Sequence, residues 1–217
     1  MTILKGSKAT IILLIIFLLP LFFYLLVKEG HHRYRFVEYY GPKHLNAAGT
    51  DTIYHTIADF SATDLSQNKV SFEKYNPSYW VFQFFNTGCL HPCDDVFYNL
   101  NGLMPDFVDA PKVKFVSIST QPARDNPDSL LALKNKIRIT SPQWFICVQD
   151  SMLTDSLMRE SFFLHGNLNN AALNSVFLVD SYKHLRGIYD GADPMEMRRL
   201  KDDIKMLSYE AKLKEKK

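Results

Sequence analysis

This chain of 217 residues predicts an α/β domain behind an N-terminal membrane helix. Three observations carry that expectation. Ala9 to Val27 is an uncharged apolar run, and strand-like and helix-like patterns alternate from Tyr79 onward. Two cysteines, Cys89 and Cys93, stand where the first strongly apolar strand hands over to a helix.

The apolar run comes first. At about 1.5 Å per residue, Ala9 to Val27 would extend roughly 28 Å as a helix, close to the hydrocarbon thickness of a bilayer. No small-x-small cleavage site follows it, since the chain continues Leu25-Leu26-Val27-Lys28-Glu29-Gly30, so an uncleaved transmembrane anchor over 9–27 is expected. Pro20 lies inside it, a residue that a helix in lipid tolerates. Lys5 and Lys8 precede the run without a nearby acid and favour a cytoplasmic N-terminus over 1–8. Lys28, Arg33 and Arg35 follow it and blur that bias. The thiol pair decides the orientation, because disulfides persist outside the cytoplasm. The expected location is therefore the cytoplasmic membrane, single-pass, with the C-terminal domain on the periplasmic side.

Residues 28–54 show no sustained period and read as a juxtamembrane tether, residues 55–210 as the globular domain and 211–217 as a charged tail. Beyond residue 28 the chain holds 22 basic and 23 acidic residues. A near-neutral domain without a basic stripe excludes nucleic acid as a partner. There is no Gly-rich phosphate loop, no Gly-x-Ser-x-Gly elbow and no His-Glu-x-x-His.

Within the domain, Tyr79 to Asn86 is a buried strand. Asp94 to Leu103 places Val96, Phe97, Leu100 and Leu103 at helical spacing. Val113 to Thr120 is a strand, and Asn126-Pro127 opens a helix through about Lys136, with proline at the first helical position. Trp144 to Val148 is a strand and Leu153 to Leu164 a helix. Ser175 to Asp180 and Leu185 to Tyr189 form a hairpin about Ser181–His184. Asp193 to about Glu210 closes the chain as an amphipathic helix. A βαβα order followed by a hairpin and a helix matches a thioredoxin-like layer.

A Cys-x-x-x-Cys loop brings two sulfurs within disulfide range or lets them clamp one soft metal ion. Helix N-terminal dipoles supply thiolate at neutral pH, whereas the acids Asp94 and Asp95 oppose a second negative charge at Cys93. Cys89 is therefore expected to be the more reactive thiol. Cys147, within Trp144-Phe-Ile-Cys-Val148, reads as a core residue.

Four collinear segments carry a resemblance: Tyr54 to Phe60, Phe82 to Cys93, Ile118 to Pro127, and Val179-Asp180 with Arg186 to Gly191. Over roughly Thr52 to Glu210 the chain resembles the Sco/SenC family, membrane-tethered thioredoxin-fold proteins of cytochrome c oxidase assembly. The resemblance implies that Cys89 and Cys93 are copper ligands and redox thiols, and that the partner is a respiratory oxidase copper-site subunit or another exported thiol protein. It also implies a third copper ligand, a histidine ahead of Leu178-Val179-Asp180, where this chain has Ala172 in an ungapped match or Asn174 with a small gap. Neither a methyl nor an amide replaces imidazole on a soft ion. Leu90 and Asp94 stand in place of the two motif prolines, and Gln121 in place of an acid. His91 and His165 are the candidate substitutes. His184 falls about five residues along the hairpin from Asn174, roughly 17 Å away. His31, His32 and His44 lie in the tether, and His55 reads as structural. The departures shift weight from copper transfer toward a thiol–disulfide oxidoreductase.

Overall fold

The computed structural model describes residues 8–29, 36–89, 93–165 and 170–214. They divide into one unit ending at Arg35 and another beginning at Phe36. In the first, α1 (Lys8–Glu29) is a helix with Pro20 inside it. Among the described residues no helix is long and apolar enough to cross a membrane. The side chains described in α1 run from Ile12 to Tyr24, fewer than the ~20 apolar residues a span takes.

The second unit starts with a small antiparallel pair, β1 (Lys43–Leu45) and β2 (Thr52–Tyr54). Next come β3 (Ser61–Asp64), β4 (Lys69–Ser71), β5 (Tyr79–Phe85), α2 (Cys93–Leu103) and β6 (Val113–Ser119). The chain continues through α3 (Pro127–Ile137), β7 (Trp144–Val148), α4 (Ser151–Ser156) and α5 (Asn170–Asn174), and ends with β8 (Ser175–Val179), β9 (Leu185–Asp190) and α6 (Pro194–Lys214). Seven strands form one sheet in the order β4-β3-β7-β6-β5-β8-β9. Strands β5, β6 and β7 run parallel, while β8 and β3 pair antiparallel to β5 and β7.

β5 reads Tyr-Trp-Val-Phe-Gln-Phe-Phe and is buried at every position. A strand covered on both faces carries such a continuous apolar run. Its side chains alternate between two cores. Val81 and Phe85 meet Val96, Phe97 and Leu100 of α2 and Leu200 of α6 on one face. Trp80, Phe82 and Phe84 meet Phe60, Phe72 and Phe162 on the other. Within the first core, Trp144 donates to the Ser117 hydroxyl, which donates to Gln83 Oε1. Gln83 Nε2 is buried without a partner among the described residues.

The α/β, thioredoxin-like expectation agrees with this sheet, and the predicted strands agree to within a residue. Helix ends follow their caps. Asn126 accepts from the Ser129 amide at 2.9 Å and Pro127 opens α3, which ends where Arg138 turns left-handed at φ 59°. Asp150 accepts from the Met152 and Leu153 amides and starts α4 two residues before the expected Leu153. That helix then widens into a π turn over Leu157–Ser161 and stops short of the expected Leu164.

The second unit takes in residues from Phe36 onward, ahead of residue 55, and α6 extends to Lys214. The supposed tether holds the β1–β2 hairpin, whose turn Asn46 ties by accepting from the Thr50 and Asp51 amides. The hairpin β3–β4 was not anticipated at all; Asp64 turns it by accepting from Ser66 and Asn68.

A buried cation explains why residues from 37 onward belong to the domain. Arg186, 3% exposed, pairs with Asp180 and Glu210 at 2.9 Å each. It also donates to the carbonyls of Val37 and Glu38 and lies 4.0 Å over the Tyr39 ring. The Val37 amide completes the clamp by donating to Glu210.

Burial alone pushes the Asp180 carboxyl up, but hydrogen bonds from His184 and Arg186 outweigh it and hold the group below its ordinary value. Such a carboxylate contributes stability above its unfolded pKa of about 3.9 and loses it as pH falls through the lower folded value. Arg186→Met strands two buried carboxylates, so denaturant unfolding at neutral pH is expected to show a loss of about 3–5 kcal/mol. The loss should shrink in acid as the Asp180 carboxyl protonates.

Candidate functional site

β5 ends at Phe85, and after the loop Asn86–Cys89 the helix α2 starts at Cys93. Cys89 and Cys93 form a disulfide with their Cα atoms 5.8 Å apart. The two sulfurs differ in access: Cys93 is 2% exposed, while Cys89 is half-buried. Cys147, in β7, is fully buried, and burial together with Asp64 pushes its thiol far above the ordinary cysteine value.

The loop ahead of Cys89 is tied down by a buried carboxylate that sequence reasoning overlooked. Asp125, 1% exposed, accepts from the Thr87 hydroxyl at 2.5 Å, the Thr87 amide at 3.2 Å and the Ser119 hydroxyl at 2.6 Å. Ser119 in turn accepts from the Gln121 amide, and the Thr120 amide donates to Phe85 O. The ends of β5 and β6 are thus stitched together at the start of the loop that leads to Cys89. The signal was available: an acid inside Gln-Pro-Ala-Arg-Asp-Asn-Pro, a turn-rich stretch following a buried strand. The Arg124 guanidinium packs against the same loop, since a Cβ added to Gly88 would lie 2.9 Å from its Nη1.

Beside the disulfide lies a cleft of about 380 Å³ between α2 and α3. Asp94, expected to oppose a thiolate at Cys93, is paired there with Lys136, Nζ to Oδ2 2.5 Å. That hydrogen bond raises the Lys136 ammonium above its ordinary value. The acid's charge is therefore countered locally.

The third-ligand positions fall where the strand register puts them. Val176 pairs with Gln83, so Asn174 lies two residues further toward the Cys89 end of β5. Its carbonyl accepts from the Gly191 amide, and its Oδ1 is buried without a partner among the described residues. Ala172 lies in the same short helix, α5. His91 falls outside the described residues, as do His31 and His32. His165 is exposed and His44 lies on the exposed β1. His55 binds Ser161 O at 3.0 Å and packs on Phe163. His184 is held by Asp180 in the hairpin turn. The hairpin register is Ser175 with Asp190 and Val176 with Tyr189, the irregularity lying at Leu178–Val179. Among the described residues, no group of three His, Cys, Asp or Glu could hold a metal ion.

The SCO1/SenC family model matches residues 48–140, which include both cysteines and Asp125. Over that segment the chain is similar to SCO1/SenC proteins. Solved structures agree on the fold. A SCO1/SenC family lipoprotein from Bacillus anthracis str. Ames superposes with a TM-score of 0.63 at 19% identity, covering 71% of this chain and 95% of its own. BsSco, a member of the Sco family of cytochrome c oxidase assembly proteins in which a disulfide switch was identified, gives 0.63 at 17%, covering 71% and 94%. Copper-bound ScoI of Bradyrhizobium japonicum gives 0.54 at 16%, covering 68% and 98%. No curated protein matches the sequence.

Measured against the copper donor set that the resemblance implies, the site is partial. Sulfurs joined in a disulfide are not thiolates and do not ligate; reduced, the pair suits Cu(I). A cysteine–cysteine–histidine site does not fit the described residues, because Asn174 offers only a neutral amide oxygen and Ala172 nothing. The thiol chemistry needs no third donor.

Asp125→Ala leaves the Thr87 and Ser119 hydroxyls without their acceptor. It is expected to cost about 2–3 kcal/mol in denaturant unfolding and to speed amide exchange at Thr87. Unchanged stability and exchange would show that the loop holds itself.

Proposed function

We infer that this protein is a membrane-anchored thiol–disulfide oxidoreductase that reduces the copper-site cysteines of a respiratory oxidase subunit, or another exported thiol protein. The observation that carries this reading is the unequal pair at the β5–α2 junction, a reachable Cys89 bonded to a buried Cys93. The anchor is the apolar run Ala9–Val27, with the domain on the periplasmic side where partner disulfides persist.

In the reduced state, the Cys89 thiolate attacks one sulfur of the partner disulfide. A Cys89–partner bond forms, the partner bond breaks, and the released partner thiolate takes a proton. The Cys93 thiolate then attacks Cys89 Sγ, closes the intramolecular disulfide and frees the second partner thiol. Two electrons have passed to the partner, and an external dithiol must restore the pair. The helix N-terminus at Cys93 favours its thiolate, and Lys136 offsets Asp94 beside it.

This sequence of steps sets the test. In Cys93→Ser the mixed disulfide cannot resolve, so a disulfide-bonded peptide should stay attached to Cys89 and be visible by mass spectrometry. In Cys89→Ser nothing should be trapped, because Cys93 is buried. If Cys89 alkylates no faster than free cysteine, the reading fails. An unreactive pair of very low reduction potential would leave an interaction domain with an inert disulfide.

A second reading treats Cu(I) as cargo, carried by Cys89 and Cys93 with a substitute donor. The copper-bound ScoI of Bradyrhizobium japonicum, which shares this fold, supports it. Under reducing conditions, stoichiometric Cu(I) is expected in the parent and its loss on replacing either cysteine. A sulfur-only shell in X-ray absorption excludes the substitute donor, and absence of stoichiometric copper excludes the carrier role.

A further inference from the structure

The cleft between α2 and α3 is lined by both cysteines, yet the exchange steps themselves assign it no role. Its α3 wall is Ser129, Ala132, Leu133 and Lys136, spaced so that all four share one helix face. On the α2 side Phe97 lies one turn beyond Cys93. The centre is apolar or small, and the Lys136–Asp94 pair neutralises its charge.

The geometry points to this cleft as the groove that seats the partner segment flanking the cysteine engaged by Cys89. The segment is extended, and an uncharged apolar side chain lies against Ala132 and Leu133. The inference rests on the thiol–disulfide reading and adds a surface and a partner chemistry to it. Reach comes first: a segment bonded to Cys89 Sγ advances about 3.3 Å per residue, so its next few residues must pass over the surface that Cys89 borders. Size agrees, since about 380 Å³ suits one or two apolar side chains and not a folded element. Charge agrees as well, because a neutral ion pair at the wall offers nothing to an acidic or basic side chain that water does not.

The test uses the reduced full chain in detergent micelles with two substrates. One is a short disulfide-bonded peptide with a leucine beside its cysteines; the other is hydroxyethyl disulfide, too small to reach α3. In the parent the peptide should react faster. Ala132→Phe, at an exposed helix position, should lower the ratio of peptide rate to hydroxyethyl disulfide rate about tenfold. Asn135→Phe, on the same helix but outside the cleft, should leave that ratio alone. A ratio unchanged in Ala132→Phe overturns the docking assignment. Self-association of the parent in sedimentation that Ala132→Phe abolishes would place a second copy in the groove and overturn it too. A parent that fails to exchange with hydroxyethyl disulfide sinks the thiol reading itself, and the groove with it.

Discussion

Burial of β5 on both faces is the constraint on which the rest depends. A strand with every side chain enclosed cannot slip by one residue, because the slip would send Trp80, Phe82 and Phe84 into the space shaped for Val81 and Phe85. Neighbours on both edges lock it further, β6 in parallel and β8 antiparallel. The cysteine pair sits at the end of this fixed rod, so its position relative to α2 and to the start of β8 is set by the core.

The loop that leaves the rod gets its own anchor from a buried carboxylate rather than from apolar packing. Asp125 satisfies a hydroxyl and an amide of Thr87 and the hydroxyl of Ser119, which holds the loop backbone while Cys89 stays reachable. Such an arrangement suits exchange chemistry: one sulfur presented, the other protected, the backbone between them and the sheet held still. The Arg186 clamp plays a comparable part at the unit's first residues, where one guanidinium gathers the Val37–Tyr39 segment, the β8–β9 turn and the end of α6.

Similarity to SCO1/SenC proteins over residues 48–140 and a shared fold leave the metal question to the residues themselves. Soft-ion ligation needs several donors of the right type in one place, and the described residues bring together two sulfurs. Electron transfer through a dithiol needs only the sulfurs. That difference in chemical requirement, rather than any difference in fold, ranks the thiol reading above the carrier reading.

Much of this was legible in the sequence by itself. Continuous apolar runs and helical spacing revealed β5, α2, β6, α3, β7 and the final hairpin, because hydrophobic period reflects burial directly. The motif around Cys89 and Cys93 marked the site. What only tertiary structure decided is where polar side chains meet across long separations. Asp125 finding Thr87, Lys136 finding Asp94, and Arg186 drawing residues 37–39 into the domain leave no periodic trace, since each pairs groups distant in the chain. Short strands such as β1 to β4 stayed hidden for a related reason: three or four residues are too few to display a period, and their pairing is set by the turns and the sheet edge that receives them.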